Sequence, residues 1–236
     1  MASGGGSKAT RRELPSYTAE ELKAAVDEAH RQSRTVAAHC HATEAIVNAV
    51  KAGVDSIEHC TFVEPDGEGR RHVFREDVAA EMARKGIYAD NVLVSMTDRE
   101  RLEWSFDNFK KLRKAGVKVL PGTDGLRLYE TAGLALVLEM MVRGGASPME
   151  VILSATREAA KALRMGSTIG TLEVGKEADL IAVQGDPLED IRVLRAPKLV
   201  MKAGNKIPPS GRSEAATKAD ALAQKVLFTL DESGIS

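Results

Sequence analysis

The chain has 236 residues, 43% of them hydrophobic, and a formal net charge of −1, so it is long enough to bury a substantial core. The charges are interspersed with neither sign in excess, which argues against a nucleic-acid partner. No stretch approaches the roughly 18 consecutive apolar residues of a membrane span, so we expect no membrane association. The first residues lack the apolar core of a secretory signal, and the two cysteines, Cys40 and Cys60, do not make a disulfide framework. These features favour a cytoplasmic protein.

Helical patterns alternate with short runs of small and β-branched residues along the first half of the chain, which indicates βαβ units and a parallel sheet. The first helix is predicted to begin at Thr18, because Glu21 follows three residues later as in a capping box. The elements predicted after it are strand 35–41, helix 43–53, strand 54–59, helix 75–86, strand 87–94, helix 106–115 and strand 117–125. Four such strands make about half of an eight-stranded barrel.

The pattern changes after the fourth of these strands. Two more helices are predicted over 129–145 and 147–165, and short strands with glycine turns follow. We therefore expect an α/β protein with a partial (β/α) barrel of TIM type over 1–165. A small β-rich segment is predicted over 166–208 and a C-terminal helical tail over 209–236.

Polar residues end three of the predicted strands, where parallel barrels place their active sites. His39 and His41 end the first strand, His59 ends the second and Asp124 ends the fourth. Side chains alternate along a strand, so His39 and His41 share a face while Cys40 points the other way. A catalytic zinc commonly takes about three imidazole or carboxylate ligands and one water. We expect His39, His59 and Asp124 to bind a metal, and His41 to contact the substrate or to support the ligands.

Each of these residues also has a structural interpretation. A histidine at a strand end is more often hydrogen-bonded than a ligand, and Asp124 lies in a Gly-Thr-Asp-Gly sequence where aspartate is common in turns. His30 and His72 lie in charged surroundings and are predicted to be solvated, and both cysteines are predicted to be small buried residues. Arg127 and Tyr129 are candidates for contact with a carboxylate-bearing substrate, although such a loop pair is more often structural.

The chain contains the stretches VAAHCHATEAIVNAVKAGVDSIEH, LPGTDG and STIGTLEVGKEADLIAVQGDPLEDI. Together these resemble the amidohydrolase superfamily, most closely its imidazolonepropionase-like and Xaa-Pro or Xaa-Arg dipeptidase-like members, over nearly the whole chain. The resemblance implies that His39 and His59 are metal ligands on the fifth and sixth barrel strands, and that Asp124 is a ligand on the eighth. It also implies that a metal-activated water attacks a carbonyl carbon, with zinc as the expected metal, and that Asp124 passes a proton to the leaving amine.

The resemblance further implies parts that precede Met1. Members carry a His-x-His pair on the first barrel strand and, in this group, a carboxylated lysine on the fourth, and MASGGGSKAT resembles the end of that fourth strand. We therefore expect an N-terminally truncated barrel. Half a barrel leaves sheet edges and an apolar face that invite pairing with another chain. Either a homo-oligomer or a missing N-terminal partner segment is expected to cover them.

The predicted function is metal-dependent hydrolysis of an amide or peptide-like C–N bond in a small molecule such as a dipeptide. Two alternatives keep the same resemblance: a catalytically inactive remnant that serves as an assembly or binding module, and one chain of a two-chain hydrolase. A third alternative, an unrelated barrel such as an isomerase, fits the strands but leaves the stretch GTLEVGKEADLIAV unexplained.

Overall fold

The computed structural model describes residues 2–3, 11–67, 70–90, 99–124 and 133–208. The chain divides into two compact units, one of residues 1–91 and 107–120 and the other of residues 92–106 and 121–236. Among the described residues, no helix has the length and apolar character needed to cross a membrane. The predicted tail over 209–236 lies outside the described residues, and the predicted domain boundaries stay a prediction.

The first unit contains a five-stranded sheet of β1 (Ala37–Ala42), β2 (Ser56–Pro65), β3 (Arg70–His72), β4 (Tyr88–Asp90) and β5 (Val119–Leu120). The strands β1, β2, β4 and β5 lie side by side in that order, and all three of their pairings are parallel. The strand β3 pairs antiparallel with the end of β2. The predicted α/β class with a parallel sheet is confirmed.

Four helices accompany these strands along the chain: α1 (Ala19–Arg31), α2 (Thr43–Ala52), α3 (Glu76–Lys85) and α4 (Arg99–Lys114). Thr18 and Glu21 form the predicted capping box at the start of α1. Gly53 and Gly86 end α2 and α3 with φ angles of 83° and 71°, in the left-handed region that favours glycine. The short-range signals in the sequence therefore fix these helix ends.

One face of the parallel sheet is apolar and the other carries the candidate site. Ala38, Ile57, Ala89 and Val119 lie in register across the four parallel strands, and all four are buried. The helix α2 packs on β1 and β2, and its Ile46 is also fully buried. Because successive residues of a strand point to opposite faces, the next position along each strand points away from this apolar row.

The second unit contains α5 (Gly133–Arg143), α6 (Pro148–Leu153), a π-helical turn (Ser154–Glu158) and α7 (Ala159–Ala162). A three-stranded antiparallel sheet follows, formed by β6 (Leu180–Ala182), β7 (Leu199–Lys202) and β8 (Asn205–Lys206) in that order. A short 3-10 helix (Ile191–Arg195) lies between β6 and β7 in the chain. These short strands are the β-rich segment that the glycine-punctuated sequence predicts.

Several elements differ from the sequence-based expectation. The strand β2 continues to Pro65 instead of ending at His59, and β3 was not predicted because its residues are charged. The helix α4 begins at Arg99 instead of Phe106. The predicted positions 91–94 of the third strand lie outside the described residues.

Two histidines predicted to be solvated are exposed or partly exposed, and each also has a hydrogen-bond partner. His30 Nε2 lies 2.8 Å from Asp55 Oδ2, and the same carboxylate oxygen accepts a hydrogen bond from the Val36 amide at 2.8 Å. His72 Nδ1 donates to the Thr61 carbonyl oxygen at 3.1 Å. The sequence does not reveal these partners, because neighbouring charges say nothing about a contact 25 or 11 positions away.

Candidate metal centre

Three histidine rings meet where the parallel pairing of the adjacent strands β1 and β2 becomes irregular. The ring centroids lie 4.4 Å apart for His39 and His59, 4.5 Å for His41 and His59, and 4.9 Å for His39 and His41. One nitrogen of each ring lies within 4.8 Å of the corresponding nitrogens of the other two. Zinc binds imidazole nitrogen at about 2.0–2.1 Å, so small movements would bring all three nitrogens onto one ion. The residues present fit a divalent metal.

The meeting of the rings depends on an irregular stretch of β2. In the regular part of the sheet His39 pairs with Glu58, and Cys40 pairs with His59. Residues paired across parallel strands point to the same face, so a regular strand would turn His59 away from His39. Instead the register shifts after Cys40, and Ala42 pairs with Val63.

The backbone of β2 is left-handed at three positions within this irregular stretch. The φ angles are 68° at His59, 48° at Cys60 and 48° at Phe62, which is an uncommon conformation for residues other than glycine. Such conformations are held by the surrounding structure and concentrate at functional sites. The distortion of β2 therefore places His59 beside the two histidines of β1.

Hydrogen bonds hold His41 at both its ring and its backbone. Its Nδ1 lies 2.9 Å from Thr61 Oγ1, and the Thr61 hydroxyl also donates to the His41 carbonyl oxygen at 3.3 Å. The His41 amide donates to Ser3 Oγ at 2.6 Å. Thr61 and Ser3 were not predicted from the sequence. Thr61 lies two residues after His59, which is a weak signal, and no sequence signal points to Ser3.

The two cysteines beside these histidines are buried thiols. Burial raises the pKa of the Cys40 thiol to about 12, and it raises the pKa of the Cys60 thiol well above its usual range. Both side chains are free of disulfide bonds and fully buried, as expected from the sequence.

Two carboxylates share the sheet face that carries His39. Register places His39, Glu58 and Asp90 in one row across β1, β2 and β4. Glu58 accepts a hydrogen bond from the Ser56 hydroxyl at 2.7 Å. Glu58 is the last residue but one of predicted strand 54–59, a position that could have singled it out, whereas Asp90 lies within predicted strand 87–94 and ends only the observed β4.

The remaining predicted site residues are Asp124, Arg127 and Tyr129. Asp124 follows β5 by four positions and has a φ of 56°, a conformation that aspartate adopts more readily than most residues. It belongs to the second unit, whereas the three histidines belong to the first. Its roles as ligand and proton carrier stay a prediction, as does substrate contact by His41. Arg127 and Tyr129 lie outside the described residues.

Many hydrolytic enzymes are α/β proteins with a histidine cluster on parallel strands. Sequence comparison identifies the family to which this chain belongs. The profile of the amidohydrolase family matches residues 1–207. The chain therefore belongs to the amidohydrolase family, as the resemblance of its motifs predicted.

Hydrolases are found among the similar proteins. Ochratoxinase from Aspergillus niger is 34% identical over 220 residues, which cover 85% of this chain and 43% of that protein. The 5'-deoxyadenosine deaminase of Methanosarcina acetivorans is 32% identical over 184 residues, covering 72% of this chain and 42% of that protein. A crystal structure of a Xaa-Pro dipeptidase with bound methionine has a TM-score of 0.73 and 32% identity, covering 88% of this chain and 53% of that one. The chain spans about half the length, or less, of these relatives.

Proposed function

We propose that this chain carries the metal-binding part of a metal-dependent hydrolase of C–N bonds, with zinc as the metal and His39 and His59 among its ligands. The observation that supports this most strongly is the convergence of three imidazole rings from the adjacent strands β1 and β2. A structural histidine needs only one hydrogen-bond partner, whereas this arrangement brings three ring nitrogens within 4.8 Å of one another. Membership of the amidohydrolase family adds support from residues 1–207.

A divalent metal held there would act as a Lewis acid toward a carbonyl group and would activate a water molecule for attack. The remaining steps fall to residues of the chain. We propose that Asp124 accepts a proton as the water adds to the carbonyl carbon, and that it returns the proton to the amine when the C–N bond breaks. The role proposed for Asp124 rests on the family resemblance of the LPGTDG stretch.

The proposed substrates are small amides, with dipeptides and N-acyl amino acids first among them. A dipeptidase and a deaminase are among the similar proteins, and both names describe the breaking of a bond to nitrogen. Family membership does not carry substrate specificity, because specificity depends on the loops around the site.

Hydrolysis of a panel of dipeptides and N-acyl amino acids tests this proposal. We expect zinc-loaded full-length chain to release free amine, and we expect chelator treatment to abolish the release until zinc is restored. The Asp124→Asn variant should lose at least 100-fold in rate, since general acid–base catalysis contributes about 10²–10⁴-fold. Added zinc should not rescue this loss.

The matched control is His30→Gln, which removes an imidazole of α1 outside the cluster. It should keep the wild-type rate. Zinc-independent hydrolysis, or equal rates in wild type and in the His39→Ala/His59→Ala variant, would contradict the proposal.

A further inference from the structure

We infer that His41 is the third ligand of a single metal ion, so that three imidazoles of this one chain hold the ion between β1 and β2. This inference rests on the proposed function and assigns His41 a role other than the predicted substrate contact. The ring of His41 lies as close to His59 as that of His39 does, with centroid distances of 4.5 Å and 4.4 Å. The ring planes differ, because the His41 ring stacks on His59 at 22° while the His39 ring meets it at 79°, so a shared ion requires the His41 or the His59 ring to rotate.

The contacts of Thr61 are compatible with the tautomer that a ligand needs. A threonine hydroxyl has one proton, and the His41 carbonyl oxygen lies 3.3 Å from the Thr61 hydroxyl as an acceptor for it. With the proton used there, Thr61 Oγ1 accepts from His41 Nδ1, which lies 2.9 Å away, and Nδ1 carries the ring proton. A neutral ring protonated at Nδ1 has its lone pair on Nε2, the form in which imidazole binds metals.

The same contacts resemble the outer shell of a metal site. Histidine ligands commonly use their second nitrogen to bond an oxygen, which orients the ring. His41 has this bond to Thr61, and it is 7% exposed.

The backbone of His41 is fixed independently of its ring. It lies at the interruption of the β1–β2 register, and its amide donates to the fully buried Ser3 hydroxyl at 2.6 Å. Ring and backbone are therefore both held before any ion arrives. Such preorganisation is what a metal ligand needs to bind in a defined geometry.

Three neutral imidazoles leave the full charge of a divalent ion uncompensated and one coordination position for water or substrate. This is the arrangement of mononuclear catalytic zinc sites with three histidines. Thr61 acts as a positioning residue in this scheme, because it touches the ligand and not the ion.

Titration of the metal-free full-length chain with Co²⁺ tests the inference without any need for a substrate. Wild type should bind one equivalent and show the strong visible absorption of four-coordinate Co²⁺. His41→Gln should weaken binding at least 100-fold and lose that absorption. Thr61→Val should weaken binding by about 10–100-fold, the usual effect of removing an outer-shell partner.

Thr61→Ser keeps the hydroxyl and should bind Co²⁺ with nearly the wild-type affinity. If Thr61 acted only by packing, loss of its methyl group in Thr61→Ser would weaken binding as well. His30→Gln should match wild type in both affinity and spectrum. Far-UV circular dichroism of each variant identifies any loss of affinity that comes from unfolding.

The outcomes separate this inference from the proposed function. Binding and absorption that persist in folded His41→Gln but disappear in His39→Ala/His59→Ala would overturn the role of His41 and leave the proposed function intact. If wild type takes up no Co²⁺, or if the His39→Ala/His59→Ala variant binds it as wild type does, the metal centre itself is refuted. The inference is supported if His41→Gln loses Co²⁺ binding, if Thr61→Val weakens it, and if Thr61→Ser binds Co²⁺ nearly as tightly as wild type.

Discussion

At the scale of single residues, a buried carboxylate in the second unit makes the most specific stability prediction. Glu139 on α5 is 3% exposed and forms ion pairs with Arg195 of the 3-10 helix and with Arg143, the latter at 3.5 Å. Removing one partner of a buried pair leaves a charge without compensation, which typically costs about 3–5 kcal/mol. Because Arg143 remains, we expect Arg195→Ala to lower the free energy of unfolding by about 3 kcal/mol in urea denaturation.

The matched control lies on the same 3-10 helix. Arg192 pairs with Asp190 at 2.8 Å, but both side chains are largely exposed. Exposed ion pairs contribute little to stability, so Arg192→Ala should leave the unfolding midpoint nearly unchanged. Equal losses of unfolding free energy in Arg195→Ala and Arg192→Ala would show that Arg195 does not compensate the buried charge of Glu139.

At the scale of elements, one glycine determines how the loop after α7 packs on the helices before it. Gly170 has a φ of 93°, and a Cβ atom there would lie 2.5 Å from the Cβ of Ala160 and 3.0 Å from the Thr156 carbonyl oxygen. Thr156 belongs to the π-helical turn, so the clash would force either the loop or the turn to move. We expect Gly170→Ala to combine backbone strain of about 1–2 kcal/mol with overpacking of about 1–3 kcal/mol.

Gly175 provides the comparison, because it has a φ of 90° and no atom within 4 Å of a Cβ added to it. Gly175→Ala should show the strain alone and lower the free energy of unfolding by about 1–2 kcal/mol. Thermal or urea denaturation of the two variants measures the difference. A Gly170→Ala protein as stable as Gly175→Ala would contradict the tight packing described here.

At the same scale, local signals predicted the helices well and the end of β2 poorly. Thr18, Glu21, Gly53 and Gly86 mark helix ends because capping is a short-range effect that the sequence records directly. No sequence signal marks the left-handed backbone at His59, since it occurs at a histidine and not at a glycine. Surrounding structure imposes it, and sequence pattern does not reveal it.

The candidate site was only partly predicted, because it also depends on contacts that sequence patterns do not show. Strict alternation correctly placed His39 and His41 on one face, but it would have put His59 on the other according to the register. The roles of Thr61 and Ser3 depend on contacts across 20 and 38 positions, which no local pattern encodes.

At the scale of the whole molecule, the chain is an amidohydrolase-family protein in which one unit contributes all three clustered histidines. A metal held by these residues would connect β1 to β2, the two neighbouring strands where the pairing becomes irregular. Because an ion that binds only the folded state adds to its stability, the metal and this part of the fold are expected to depend on each other.

The most direct test is the zinc content of the full-length chain, measured by elemental analysis after purification without chelator. We expect about one equivalent per chain in wild type and in His30→Gln, and much less in folded His39→Ala/His59→Ala. Wild-type protein that binds no zinc even after incubation with excess zinc, or a double variant that retains a full equivalent, would contradict a metal centre at these histidines.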